Sequence, residues 1–218
     1  MTTSSASAYT TSPGTSAPGA RPALILILGA WFIAVLALAF RGAFFDTPGE
    51  PPISIIWANV VPVAVFFALY VFSPWARGVV RSLDVSLLAG LHAMRTIGFS
   101  FLVLAGIGQL PWLFAIPAGV GDIMVAISAP FIAFYAVKSS GFIASNRFLT
   151  WNLFGVFDFL VAVGTGSAAR ILGTETVGAG MEPMATLPLA MIPAFLVPMF
   201  MLGHIIMVMR AFEARKNR

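Results

Sequence analysis

Hydrophobic residues occur along the chain in six long runs, each separated from the next by a short polar stretch. The runs cover about residues 22–40, 53–75, 85–110, 112–137, 148–169 and 187–209. Each run has roughly the 20 residues that an α-helix needs to cross the hydrocarbon core of a bilayer. Strands of a membrane barrel alternate apolar and polar residues over segments about half as long, whereas these runs are continuously apolar. The pattern therefore predicts six transmembrane helices.

The residues before the first run have a different composition. Residues 1–20 carry no charged side chain and are mostly Ser, Thr, Ala, Gly and Pro. Such a segment buries too little apolar surface to offset the entropy lost on ordering, so we predict a disordered tail before a single domain over residues 21–218. Ala37-Leu38-Ala39 resembles a signal-peptide cleavage site, but the first run is longer than the 7–15 residues of a signal core. A retained first helix is the preferred interpretation.

Composition supports an all-α integral membrane protein. Hydrophobic residues make up 59% of the chain and charged residues 9%, against about 25% charged in soluble domains. The runs leave no loop long enough for a separate extramembrane domain, so one helical bundle is expected. Because the chain has no cysteine, disulfides, thiolate metal sites and iron–sulfur clusters are excluded.

The basic residues predict how the bundle is oriented. Lys and Arg accumulate in the cytoplasmic loops of membrane proteins. With the amino terminus in the cytoplasm, Arg41 and Arg170 are the only basic loop residues that lie outside. The cytoplasmic side then carries Arg21, Arg77, Arg81, Lys138, Arg147, Arg210, Arg215, Lys216 and Arg218. We therefore expect a multi-pass protein of a bacterial-type inner membrane with both termini cytoplasmic, whose net charge of +4 reflects orientation and not nucleic-acid binding.

Three ionisable side chains, Arg95, Asp122 and Asp158, lie near the middle of three successive predicted helices. A charge at the centre of a bilayer costs about 2.5–3.5 kcal/mol on insertion scales, so such residues face the protein interior and pair with one another. We predict that they form a buried proton or substrate site. Two carboxylates and one guanidinium leave one negative charge, which a proton or a bound cation must neutralise.

A short internal echo surrounds the two aspartates. Residues 119–126 and 155–162 are identical at five of eight positions and run in opposite directions through the predicted bundle. This arrangement resembles, in miniature, the inverted repeats of secondary transporters. Gly119 and Gly155 each precede an aspartate by three residues, which allows another backbone to approach the carboxylate. We include both glycines, with Asn152 of the fifth helix, as supporting residues of the site.

The two histidines suggest a second chemistry. His92 and His204 lie in the cytoplasmic halves of the third and sixth predicted helices, where two neutral imidazoles can ligate a b-type haem. The simpler alternative is that each histidine forms a hydrogen bond with a neighbouring helix. No other cofactor and no metal site is expected.

Enzymatic interpretations fit the sequence less well. Gly119-Val120-Gly121-Asp122 supplies the Gly-x-Gly-Asp pattern of intramembrane aspartyl proteases, but Asp158 follows Phe157 where those enzymes have Tyr. Arg95 would also disturb a pair of acids that share one proton. Ser128 lacks the Gly-x-Ser-Gly setting of a rhomboid-type nucleophile. A role without catalysis is therefore favoured.

Other polar and aromatic residues have structural interpretations. Asn59, in the second predicted helix, is expected to form an interhelical hydrogen bond. Trp57, Trp75, Trp112 and Trp151 lie near predicted helix ends and are interpreted as anchors at the membrane interface.

The sequence leaves three functional hypotheses. The favoured one is proton-coupled transport or permeation of a small solute or ion, in which Asp122 or Asp158 titrates and Arg95 is the counter-charge. The alternatives are a haem-bearing electron-transfer subunit and a non-catalytic subunit of a membrane complex. The expected partners are the lipid bilayer, the unknown solute and, in an oligomer, a second copy or a partner subunit.

Overall fold

All the regular secondary structure in the described part of the chain is helical. A computed structural model describes residues 20–47, 49–139, 141–172 and 180–216. The predicted disordered tail lies outside these residues, except for Ala20, which begins the first helix. The α-helices are α1 (Ala20–Phe40), α2 (Ile53–Phe72), α3 (Pro74–Ser82), α4 (Val85–Leu91), α5 (Phe99–Gly106), α6 (Trp112–Lys138), α7 (Asn146–Leu172) and α8 (Val197–Lys216).

Six helical segments of the described residues are long and apolar enough to span a membrane. The first, second, fourth and fifth spans are α1, α2, α6 and α7. The third span runs from Val85 to Gly106 and consists of α4, a 3₁₀ segment (His92–Gly98) and α5. The sixth span is a π-helical segment (Ile192–Leu196) that continues into α8.

The second span is shorter than the apolar run predicted. The run was expected to continue to residue 75, but α2 ends at Phe72 and the extended backbone of Ser73 begins a separate helix, α3. Ser73 caps α3 by accepting a hydrogen bond from the Ala76 amide at 3.3 Å, and Pro74 fits the first helical turn. Trp75 therefore lies in α3. Arg77 donates to the carbonyls of Tyr70 at 3.0 Å and Val71 at 2.7 Å, satisfying the end of α2.

The ends of the third, fifth and sixth spans also differ from the apolar runs. The third span ends at Gly106, and Gly108, whose φ is +75°, turns the chain toward α6. This turn gives the tight antiparallel hairpin that the sequence predicts. The fifth span extends beyond its run at both ends, over Asn146–Leu172. The sixth begins at Ile192 and not at residue 187, and continues to Lys216 because polar residues prolong the helix beyond the apolar run.

Arginine side chains bind backbone carbonyls at the two ends of the bundle. At one end Arg215 donates to the carbonyl of Ala144 and Arg210 to that of Arg81, each at 3.0 Å. At the other end Arg170 donates to the carbonyls of Asp46 and Glu50. The loops thus fall into the same two groups that the count of basic residues predicted.

Apolar packing encloses the middle of the bundle from both directions. Toward one end lies a buried cluster of Val85, Ala89, Phe148, Met207 and Ala211. Toward the other lies a buried cluster of Phe101, Ala105, Leu110, Phe114, Ala115, Ala118, Met184 and Ile192. The predicted polar residues of the third to sixth spans lie between these two clusters.

Candidate functional site

Arg95 is the centre of a buried ionic cluster. Its side chain is 1% exposed, its Nε donates to Oδ1 of Asp122 at 2.6 Å, and its Nη2 donates to Oδ2 of Asp158. The ring of Phe159 lies against the guanidinium, with its centroid 3.9 Å from Cζ. The structure therefore brings together the three side chains that the sequence placed at one depth, and an aromatic face covers the cation.

A chain of hydrogen bonds holds the guanidinium from the other side. Arg95 Nη1 lies 3.3 Å from Nε2 of His204, and Nδ1 of His204 lies 2.9 Å from Oδ1 of Asn152. Asn152 Nδ2 donates to the Phe148 carbonyl at 2.9 Å. His204 and Asn152 are both fully buried. The predicted supporting residue Asn152 thus reaches Arg95 through a histidine.

The direction of these hydrogen bonds defines the form of His204. A guanidinium only donates, so His204 Nε2 must accept from Arg95. Because the amide nitrogen of Asn152 donates to a carbonyl, its oxygen faces His204 and accepts from Nδ1. The arrangement is satisfied by a neutral imidazole with its hydrogen on Nδ1, and it gives each side-chain nitrogen and oxygen of His204 and Asn152 a hydrogen-bond partner.

His92 has a different environment. Its Nδ1 lies 2.8 Å from the carbonyl of Leu88 and its Nε2 lies 3.2 Å from that of Phe200, which belongs to the sixth span. The second contact is the interhelical hydrogen bond expected from the sequence. The ring also packs on that of His204, with centroids 3.9 Å apart. His92 therefore packs against the side of His204, and among the described residues it forms no hydrogen bond with either carboxylate.

Glycines provide the space in which the two carboxylates lie. A methyl group added at Gly98 would approach Asp122 Oδ2 to 2.7 Å and would overlap its Cβ. A methyl group at Gly121 would overlap the carboxylate of Asp158. The third span thus approaches Asp122, and the fourth approaches Asp158, only because these positions lack a side chain.

The two predicted supporting glycines also lie at close contacts. A methyl group at Gly119 would lie 2.9 Å from the carbonyl oxygen of Gly98, so Gly119 permits the approach of a neighbouring backbone. Gly155 faces the imidazole of His204 and not a backbone. The two glycines at equivalent positions of the echo therefore make room for different groups: Gly119 for a neighbouring backbone, and Gly155 for an imidazole ring.

Local helix geometry positions the third-span residues. His92 and Arg95 lie in the 3₁₀ segment, and residues three apart in a 3₁₀ helix lie above one another. Both side chains consequently point from one side of the span into the bundle. A 3₁₀ segment in the middle of a helix commonly marks strain or a functional hinge, and the sequence pattern gave no sign of it.

The sixth span contains a second irregular segment. In the π-helical turn the amide of Val197 bonds to the carbonyl of Ile192, and Pro198 has no N–H to offer the carbonyl of Pro193. Asn59 Nδ2 donates to this Pro193 carbonyl at 3.0 Å in place of the missing N–H. This contact confirms the predicted interhelical hydrogen bond. Asn59 Oδ1 is buried and lacks a hydrogen-bond partner among the described residues.

A partly open cavity of about 80 Å³ leads from Asp122 toward the end of the bundle that holds Arg170. A single water needs roughly 10–15 Å³, so the cavity accommodates several waters or a small ligand. Its wall is mostly apolar and includes Phe101, Phe114 and Phe159. The only ionisable side chains in the wall, within the described chain, are Asp122 and Arg170.

Each aspartate keeps one oxygen that receives no hydrogen bond from the described residues. Arg95 binds Oδ1 of Asp122 and Oδ2 of Asp158, which leaves Asp122 Oδ2 and Asp158 Oδ1. Asp122 lines the cavity, whereas Asp158 lines a separate groove between the fourth and fifth spans. With both acids ionised, the cluster carries one surplus negative charge.

The histidine pair does not fit a haem in this arrangement. Bis-histidine ligation holds an iron and the plane of its porphyrin between two imidazoles. Here the rings of His92 and His204 are in direct contact, and both nitrogens of each ring already lie within hydrogen-bond distance of a protein group. The haem hypothesis stays a prediction, and these side-chain positions do not favour it.

The acids also differ from a protease dyad in their arrangement, since Arg95 lies between them and binds one oxygen of each.

Trp151, interpreted as an interfacial anchor, instead donates to Ser128 Oγ at 2.8 Å and packs against His204, with the ring centroids 5.0 Å apart.

Comparison with known proteins places most of the chain in one family. The sequence profile of a family described as a domain of unknown function, DUF8737, matches residues 51–212, and the chain belongs to this family. The matched region begins after the first span and contains all of the central polar residues described above. Comparisons with curated proteins and with solved structures gave no match.

Proposed function

We propose that this member of the DUF8737 family is a small transporter that couples the movement of a solute across a membrane to the movement of a proton. The observation that carries the proposal is that two buried carboxylates share one guanidinium, Arg95, beside a cavity. Asp122 and Asp158 are the proposed proton carriers, and Arg95 is their common counter-charge.

The proposed setting is the cell membrane, with six spans and both termini in the cytoplasm. Support comes from the six long apolar helices and from the distribution of Lys and Arg over the two groups of loops. In this orientation the cavity beside Asp122 opens toward the outer face. Exposed side chains such as Ile25 (70%) and Phe72 (84%) would then contact lipid.

Charge balance supports a mobile proton. An isolated ionised group in an apolar interior is costly enough that it is neutralised or paired. Arg95 can balance one carboxylate, and the second requires another positive charge. A proton on either acid supplies that charge without moving any other group, so the site is suited to gaining and losing one proton.

The two acids also line two different spaces, of which the cavity leads toward one end of the bundle. Asp122 lines the cavity, and Asp158 lines the groove between α6 and α7. Arg95 binds both carboxylates. Protonation of one of them therefore weakens its ion pair with Arg95, and the guanidinium stays paired with the carboxylate that is still ionised. His204 restrains Arg95 Nη1 throughout, so the exchange takes place at Nε and Nη2.

Proton movement in proteoliposomes tests this function. The full chain is reconstituted with the pH-sensitive dye pyranine inside, and four aromatic solutes are added outside in turn: phenyltrimethylammonium, phenylalanine, benzenesulfonate and benzyl alcohol. We expect at least one charge class to change the internal pH. Asp122→Asn and Asp158→Asn should each abolish the change, because an amide cannot carry the proton.

The matched control is Asp84→Asn. Asp84 is an exposed residue that caps α4 by accepting from the Ser86 amide at 2.8 Å, and asparagine caps helices equally well. This variant should move protons at the wild-type rate. The proposal fails if none of the four solutes moves protons, or if both site variants behave like the wild type.

A further inference from the structure

We infer that the solute is a monovalent organic cation with an apolar body, and that it binds in the cavity with its positive charge against Asp122. This inference rests on the proposed function, because it names the substrate class of the same site. Three features of the cavity carry it: a carboxylate at its inner end, an aromatic wall, and the surplus negative charge of the cluster.

The carboxylate is available to a ligand. Asp122 is 8% exposed and lines the cavity, yet Arg95 occupies only its Oδ1. No described residue donates to Oδ2. A carboxylate that is only partly satisfied is unfavourable in an apolar setting, so a cation that enters the cavity gains a strong, charge-assisted contact with Asp122.

The wall of the cavity selects the rest of the ligand. Phe101, Phe114 and Phe159 line the same cavity as Asp122, and aromatic faces bind alkylammonium groups well. Met181 and Met184 also line the cavity, and their flexible thioethers adapt to different apolar shapes. Pockets that combine an apolar wall with a few polar groups are typical ligand sites.

The charge of Arg170 does not oppose a cation bound at the inner end. Arg170 is twelve residues beyond Asp158 on the same helix, which corresponds to roughly 18 Å along the axis. Its Nε and Nη2 are used by the carbonyls of Glu50 and Asp46. Arg170 therefore fixes the loop at the mouth of the cavity and lies far from the carboxylate.

The proton and the organic cation each neutralise the surplus negative charge of the site, but in different states of the protein. In one state a proton neutralises the surplus charge of the acids, and in the other the organic cation does so. When the cation binds, one carboxylic acid becomes a carboxylate and one proton leaves, so the charge of the site is unchanged. The result is an exchange of one cation for one proton.

Binding measured without transport tests the substrate class. Calorimetric titration of the full chain in lipid nanodiscs, corrected with empty nanodiscs, should show saturable binding of phenyltrimethylammonium. Benzenesulfonate and benzyl alcohol, which lack the positive charge, should not bind at the same concentrations. Asp122→Asn should weaken binding of the cation by about tenfold or more, as loss of a charge-assisted contact implies.

A pair of glycine variants tests the cavity independently of the acid. Gly166 lines the cavity, and a methyl group there would lie 3.2 Å from Met181 and 3.3 Å from Phe114. Gly164, on the same helix, has nothing within 4 Å of an added methyl group. Gly166→Val should therefore reduce binding of phenyltrimethylammonium by about tenfold, whereas Gly164→Val should leave it unchanged.

The outcomes separate the two proposals. Binding that survives both Asp122→Asn and Gly166→Val, or benzenesulfonate binding more tightly than the cation, overturns the substrate class. If Asp122→Asn does not fold, the wild-type solute series and the glycine pair decide the question. Cation binding without proton movement overturns the transport function, but it still supports the cation-binding site. Proton movement driven only by an anion or a neutral solute overturns the substrate class alone.

Discussion

His204 Nε2 lies 3.3 Å from Nη1 of Arg95, and in this pair the histidine accepts the hydrogen bond. The guanidinium is thus bound on one side by a neutral ring and on the other by two carboxylates. Asn152 holds the ring in the required tautomer by accepting from Nδ1 at 2.9 Å. The contact makes Arg95 a fixed positive charge around which the two acids can change their state.

The first prediction concerns Asn152. Asn152→Leu keeps the approximate side-chain volume but leaves the buried Nδ1–H of His204 without an acceptor, which should reduce stability by about 1–3 kcal/mol. Unfolding by SDS in mixed micelles measures the change. Leu153→Ala, at the adjacent and 52% exposed position, is the control and should change stability by less than about 0.5 kcal/mol. Equal effects of the two variants would show that the Asn152 hydrogen bonds are dispensable.

A second prediction follows from the charge of the cluster. Arg95→Gln leaves two buried acids without a counter-charge and should cost about 3–5 kcal/mol in the same unfolding assay. Asp158→Asn removes the surplus charge and retains an oxygen that can accept from Arg95, so its cost should be below about 1.5 kcal/mol. The double variant should be more stable than Arg95→Gln alone. If Asp158→Asn were the more damaging single change, the surplus-charge argument would be wrong.

Glycine positions give a third prediction. Gly98→Ala and Gly121→Ala place a methyl group against Asp122 and Asp158 respectively, and overpacking of this kind costs about 1–3 kcal/mol. Gly106→Ala, at the end of α5, meets nothing within 4 Å and is the matched control. Thermal unfolding in detergent should show lower midpoints for the first two variants and no loss for the third. Wild-type midpoints for all three would contradict the close packing described here.

A fourth prediction tests the orientation. The chain contains no cysteine, so a single introduced cysteine is the only thiol. Thr47→Cys and Ser139→Cys replace exposed residues at opposite ends of the bundle. In intact cells a membrane-impermeant maleimide should label the cysteine at 47 and not the one at 139, and permeabilised cells should show both. The reverse labelling pattern would invert the proposed topology.

Much of the fold follows from the sequence because long apolar runs have few alternatives in a membrane. The number of spans and the grouping of the loops needed only run length and the positions of Lys and Arg. The end of the second span at Phe72 was missed because Ser73 and Pro74 interrupt a helix without interrupting hydrophobicity. The extension of the sixth span to Lys216 was missed for the opposite reason, since polar residues continue the helix.

The sequence predicted the ionisable residues of the candidate site better than the residues that pack against them and form hydrogen bonds with them. Burial cost alone brings Arg95, Asp122 and Asp158 together, since a charge in an apolar interior needs a partner. The positions of Gly98 and Gly121 depend on how neighbouring spans approach, which sequence spacing does not define. The use of His204 as an acceptor for Arg95 likewise depends on tertiary contacts, so the sequence could offer only a haem ligand or an interhelical hydrogen bond as alternatives for it.

The most direct test of the mobile proton is infrared difference spectroscopy of the full chain in nanodiscs at neutral pH. Exposed carboxyl groups are ionised there, so the carbonyl stretch of a protonated carboxylic acid reports a proton held in the site. We predict that the wild type shows this band, that phenyltrimethylammonium removes it, and that the band is absent from at least one of Asp122→Asn and Asp158→Asn. A wild-type spectrum without the band, or a band that persists unchanged in both variants, would contradict the account.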